Sequence, residues 1–200
     1  MVTRLNVFKA GQLIDEAYEG KLGSKVAHKV DVAGVQAFYL KDGTLVIPGT
    51  NEKSDWSNFN FNVGKGEAGR TWHAGFLKHA MAVYPFGKGA GAKRVIGHSL
   101  GAASAQIVAA SLGIPAICFA SPRPLRGRSR VKGEHRILKV CRADDPVGSL
   151  PLPLLGFRQV GKTCWLRPSD PNEPGGHNLK SYLKIMKSGK SKPDLPDDWG

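Results

Sequence analysis

Two hydrophobic periods run along this chain, and the switches between them mark its elements. From Ala10, the positions Leu13, Ile14, Ala17 and Tyr18 share one helix face, and Gly20 supplies a stop. Residues 35–40 read as a strand. Asp42-Gly43 then makes a tight hairpin, and Leu45-Val46-Ile47 returns until Pro48-Gly49-Thr50 ends it. Phe76, Leu77, Ala80, Met81 and Tyr84 line a second helix, expected to stop before Pro85. Arg94-Val95-Ile96 suits a short buried strand, and residues 102–112 suit an alanine-rich helix closed by Gly113-Ile114-Pro115. Residues 116–120 and 136–141 are apolar runs of strand length. Residues 157–160 and 164–166, around Gly161-Lys162, read as a second hairpin. Leu179, Tyr182, Leu183 and Met186 put one apolar stripe on a last helix, with lysines opposite. Past Lys187 the pattern fades, and a mobile tail is expected over about 188–200.

Strand and helix alternate from Gly75 to Cys141. That order predicts an α/β fold, a mostly parallel sheet with helices on both faces and hairpins at its ends, in a single domain spanning 1–200. Functional groups of such sheets gather where strands end. Three segments end strands in this way: Gly49-Thr50, His98-Ser99 and Ala143-Asp144-Asp145.

Composition narrows the class. A hydrophobic fraction of 41% and a charged fraction of 22% are ordinary for a globular protein. No apolar run reaches the ~18 residues that cross a bilayer, and the first nine residues lack a secretory leader, so a cytoplasmic protein, or one released without a signal peptide, is expected. Cys118, Cys141 and Cys164 are odd in number and widely spaced, which predicts free core thiols. No metal-ligand spacing occurs, so no metal is expected. The net charge of +13 favours anionic partners. Arg123, Arg126, Arg128, Arg130 and Lys132 crowd one loop, and Lys180, Lys184 and Lys187 recur at helical spacing. A solvated basic face is the plainer reading and an anionic membrane surface the sharper one. Without interleaved aromatics, no nucleic acid is expected.

The chemistry concentrates at Gly97-His98-Ser99-Leu100-Gly101. The bare G-x-S-x-G pattern arises by chance roughly 0.2 times in a chain of this composition. Its setting, between a short strand and a small-residue helix, makes it a nucleophile elbow candidate. The two glycines leave room where strand and helix crowd together. A serine hydroxyl needs a base, and a histidine base needs a carboxylate to hold its tautomer. The chain order Ser, acid, His leaves His135 and His177 as bases. His177 follows the Asp144-Asp145 loop and is the stronger candidate. Asp145 is the favoured acid, with Asp144 and Asp170 as competitors. His98 reads as structural, and His73 and His79 as packing or surface residues.

Six segments in order resemble the class 3 lipases of the α/β-hydrolase fold. They are Ile47-Pro48-Gly49-Thr50, Asp55-Trp56-Ser57-Asn58, His73-Ala74-Gly75-Phe76, the elbow, Asp145-Pro146-Val147 with Leu150-Pro151, and His177. The resemblance covers residues 35–186. It implies Ser99 as nucleophile, Asp145 as acid and His177 as base, with amides at Thr50 and Leu100 forming the oxyanion hole. It also implies an ester or lipid substrate and no cofactor. The chain departs from the family in two places. Pro48 stands where the family usually has arginine. The stretch 51–71 is polar and glycine-rich in its middle rather than an apolar lid, so weaker interfacial activation is expected. Within it, Trp56, Phe59 and Phe61 suit either an acyl site or core packing. A deacetylase, thioesterase or acyltransferase on the same triad, and a binding module without catalysis, remain alternatives.

Overall fold

The computed structural model describes residues 4–32, 34–49, 63–65, 70–168, 176–188 and 194–200. In chain order they form β1 (Leu5–Asn6), α1 (Val7–Tyr18), β2 (Val26–Val32), β3 (Val35–Leu40), β4 (Thr44–Ile47), β5 (Val63–Lys65) and β6 (Thr71–His73). There follow α2 (Ala74–Gly89), β7 (Arg94–His98), α3 (Leu100–Leu112), β8 (Ala116–Phe119), β9 (Leu125–Arg126) and β10 (Ile137–Arg142). The last are β11 (Phe157–Arg158), β12 (Lys162–Leu166), α4 (Leu179–Ser188) and β13 (Asp198–Trp199).

A seven-stranded sheet in the order β12-β10-β8-β7-β4-β3-β2 carries the architecture. From β12 to β4 the neighbours are parallel, and β3 and β2 add an antiparallel meander. Consecutive strand residues face opposite sides. Ile96 thus belongs to the core under α1 and α4, with Ile14, Phe119 and Met186, while Val95 belongs to the core under α2 and α3, with Phe76, Val83 and Val108. A helix-covered, mostly parallel sheet is what the alternation predicted.

Local chemistry explains the helix ends. The Asn6 side chain accepts from Lys9 N at 3.0 Å and starts α1. Gly113, at φ 70°, ends α3. From Gly101 to Ala109 every residue of α3 is buried, and small side chains let this helix lie close to the sheet.

The structure corrects three expectations. Helix α2 runs through Pro85 to Gly89. Proline removes one N–H, but the next two residues stay on the core: Phe86 packs on it, and a Cβ at Gly87 would come within 2.7 Å of Leu45. The second hairpin does not form. β11 pairs with β9 in a separate four-stranded sheet, and β12 lies parallel to β10. Gly161 turns the chain between the two sheets at φ 89°, where a Cβ would come within 2.2 Å of Ile137 O. The tail is not patternless. Residues 194–200 dock, with β13 paired to β1 and Trp199 Nε1 donating to Arg136 O at 2.7 Å. No helix among the described residues is long and apolar enough to cross a membrane.

Candidate active site

The elbow forms at the end of β7. Ser99 adopts φ 58° and ψ −126°, a region that only glycine enters freely. Its N–H donates to Phe119 O at 3.0 Å, and its carbonyl accepts from Ala102 N and Ala103 N as the helix begins. The glycines are required on both sides. A Cβ at Gly97 would sit 2.5 Å from Gly101 O, and one at Gly101 would sit 2.1 Å from Ile47 O. Backbone occupies both places, so no side-chain rotation makes room.

Ser99, Asp145 and His177 meet. His177 Nε2 lies 2.6 Å from Ser99 Oγ, and His177 Nδ1 lies 2.9 Å from Asp145 Oδ2. The carboxylate fixes the proton on Nδ1 and turns the Nε2 lone pair toward the serine hydroxyl. Asp145 is buried and accepts two further bonds, from Tyr182 OH to Oδ2 at 2.6 Å and from Val147 N to Oδ1 at 2.9 Å. Burial pushes its carboxyl up. The bonds from His177, Tyr182 and Val147 outweigh that and hold it below the usual carboxylate range.

The competing residues lie elsewhere. Asp144 takes a two-pronged bond from Arg142, with Nε at 2.9 Å and Nη2 at 2.7 Å. His135 lies in a short 3-10 turn before β10, at the opposite end of that strand from Asp145. His73 is buried and stacked on Phe76 at 4.3 Å between ring centroids. His79 accepts from or donates to Ser104 Oγ at 2.8 Å between α2 and α3. Asp170, Thr50, Trp56, Phe59, Phe61 and the segment Asp55-Trp56-Ser57-Asn58 lie outside the described residues, as does most of the stretch read as a polar lid. Leu100 is the first residue of α3, so its N–H is one of the helix-start donors without an acceptor inside the helix.

Sequence reasoning missed a second layer. His98 is buried and uses both ring nitrogens. Nε2 lies 3.0 Å from His177 O, and Nδ1 lies 2.8 Å from Tyr18 OH. A carbonyl only accepts, so Nε2 carries the proton, Nδ1 receives the Tyr18 hydroxyl proton, and Tyr18 O is left to accept. It accepts from Gly49 N at 2.6 Å. Burial and the neighbouring His177 push the His98 imidazole down to about 3, so it stays neutral. The network joins the backbone of His177 to the loop that precedes Thr50. A Cβ at Gly49 would meet Tyr18 OH, His98 O and Ser99 Cβ, all within 2.9 Å. One signal was visible beforehand. Tyr18 and Tyr182 stand in otherwise apolar helix stripes, and a buried tyrosine hydroxyl must find a partner.

Among the described residues, no group of three or more His, Cys, Asp and Glu is placed to hold a metal ion. The cysteines Cys118, Cys141 and Cys164 are free and buried, as expected.

No protein-family model matches this chain, and no curated protein matches it in sequence. Solved structures do match its fold. Lipase II from Rhizopus niveus is 18% identical with a TM-score of 0.63, over 80% of this chain and 77% of that one. The lipase of Rhizopus microsporus var. chinensis is 17% identical with a TM-score of 0.64, over 79% and 71%. A triacylglycerol lipase whose catalytic centre is formed by a serine protease triad is 17% identical with a TM-score of 0.58, over 82% and 77%. The fold of this chain is thus the α/β-hydrolase fold of the fungal lipases.

Proposed function

We propose that this protein is a serine hydrolase that cleaves carboxylic esters through an acyl-enzyme. The observation that carries the reading is one imidazole bonded on both sides, at 2.6 Å to Ser99 Oγ and at 2.9 Å to Asp145 Oδ2. Ser99 Oγ attacks the ester carbonyl carbon while His177 Nε2 takes its proton. The tetrahedral oxyanion is met by the N–H of Leu100 at the start of α3, with Thr50 as the second donor. The alcohol departs with the proton from His177 and leaves an ester on Ser99. Water, deprotonated by the same nitrogen, then releases the acid. Asp145 stays ionised throughout and stabilises the imidazolium.

The substrate is a lipid or a smaller ester, and the charge of +13 favours one presented on an anionic surface. Raising salt then weakens turnover on anionic vesicles far more than on a soluble ester. Three free, buried thiols support a protein kept in, or released directly from, a reducing compartment.

A fluorophosphonate probe tests the reading. It should label Ser99, and Ser99→Ala should abolish labelling and lower turnover by roughly 10⁴–10⁶-fold. Intact ester turnover in that variant would refute the triad. A panel of acetylated sugars, thioesters and acyl acceptors separates hydrolysis of carboxylic esters from deacetylase, thioesterase or acyltransferase activity on the same residues.

A further inference from the structure

We infer that the turn at residues 150–156 is an insertion wedge that seats the protein on an anionic phospholipid surface. This deepens the proposed ester hydrolase by naming the part that meets the lipid, and it rests on that reading only for its purpose.

The observations begin with exposure. Among the described residues, five large apolar side chains are exposed: Val32, Met81, Leu152, Leu154 and Trp165. Single cases are ordinary. Two of these five stand on one turn, and a third, Trp165, lies beside Gly148 just before it. Leu154 is 80% exposed, Leu152 is 44% exposed, and the Trp165 ring reaches Gly148, where a Cβ would come within 3.8 Å of it. From Leu150 through Leu155 the chain reads Leu-Pro-Leu-Pro-Leu-Leu, with no polar side chain.

The turn is held rigidly in spite of that exposure. Leu155 N donates to Leu152 O at 3.1 Å, and Gly156 N donates to Pro153 O at 2.8 Å. Arg123 fastens it from behind. Its N–H donates to Leu150 O at 2.6 Å, and its Nη1 donates to Pro151 O at 3.2 Å and to Ser149 O. Gly127 N closes the far side on Gly156 O at 2.9 Å. A leucine held outward by this many backbone bonds lacks the freedom to fold back onto the protein.

Position and charge select the occupant. In a parallel sheet the C-terminal strand ends share one edge. Ser99 follows β7 and Asp145 follows β10 on that edge, and the wedge continues from Asp145. Its flanks are cationic. The Arg126 stem lies within 3.6 Å of a Cβ built at Gly156, and exposed Arg128 and Arg167 stand on the neighbouring segments. Among the described residues, the exposed acid next to Asp145, Asp144, is already neutralised by Arg142. Apolar tips within a cationic collar match the boundary between acyl chains and anionic headgroups.

The test uses the full chain and vesicles of 7:3 phosphatidylcholine and phosphatidylglycerol, read by co-sedimentation. Leu152→Ser/Leu154→Ser should lower partitioning at least about tenfold, while Met81→Ser, away from the wedge, leaves it unchanged. Arg126→Gln should lower it about fivefold on these vesicles and not on pure phosphatidylcholine. Turnover of a soluble short-chain ester should stay within about twofold of wild type in all three variants. Partitioning of the double leucine variant equal to wild type overturns the wedge and leaves the hydrolase reading standing. A concentration-dependent dimer that this variant dissolves also overturns it, by assigning the turn to a second copy. Wild-type protein that partitions as described but never labels with fluorophosphonate refutes the hydrolase and keeps the wedge.

Discussion

The two faces of the central sheet are equally well buried and do different work. Under α2 and α3 the contacts are mostly apolar; of the buried polar side chains there, His79 with Ser104 ties one helix to the other, and Gln106 donates to Ser121 Oγ and accepts from Val160 N at 2.9 Å. Under α1 and α4 each helix sends a tyrosine hydroxyl to the site. Tyr182 holds Asp145 and also accepts from Arg142 N at 3.1 Å, while Tyr18 holds His98 and Gly49. One face sets how closely the elbow approaches the sheet. The other sets the direction in which the side chains around it point. A buried polar bond is therefore informative by where it leads, not by its burial.

The largest expected effect lies at the point where the polar face ends. Asp145→Asn should lower kcat about 10⁴-fold in steady-state ester assays, because an amide cannot keep the proton on His177 Nδ1. A small loss would mean that this face does not serve the chemistry.

Next comes a test that treats both faces alike. Burial pushes His79 down to about 4 and His98 to about 3, from an ordinary 6.5. As pH falls through 6.5 the unfolded chain takes up two protons that the fold refuses until about 4 and about 3. Stability therefore falls on acidification, by on the order of 3 kcal/mol between pH 7 and pH 5. Urea midpoints at the two pH values measure it. His79→Leu should remove about half of the slope, and a flat profile would mean that the imidazoles are charged in the fold.

Tyr182→Phe should lower kcat about tenfold with KM little changed, since one charged-group hydrogen bond is lost. The smallest pair sharpens the contrast most. Tyr18→Phe should lower kcat about fivefold, whereas Ser104→Ala should leave kcat within about twofold and lower stability by about 1 kcal/mol. Equal kinetic losses in the two variants would erase the distinction between the faces.

What was legible in the sequence was what is local. The elbow announces itself through glycines demanded by backbone crowding, and the order of Ser99, Asp145 and His177 needs no distance information. Neighbouring Asp144 and Asp145 could be ranked but not separated, because the bonds that single out Asp145 come from His177 and Tyr182, 32 and 37 residues away. The Tyr18 to His98 bond spans 80 residues, and no period reports it. Strand β2 went unread because it lies at the sheet edge, with most of its side chains exposed and polar among the apolar ones. Gly161 looked like a hairpin turn, since a positive φ serves a turn within one sheet and a passage between two sheets equally well.

The backbone of Ser99 has a last consequence. A serine held at φ 58° and ψ −126° carries strain on the order of 1–3 kcal/mol, which a glycine there would shed. Ser99→Gly should therefore melt at a higher temperature than the working protein while doing no chemistry. Selection for thermal robustness alone would erode this position first, so its persistence in any thermostable descendant is a direct record of selection for activity.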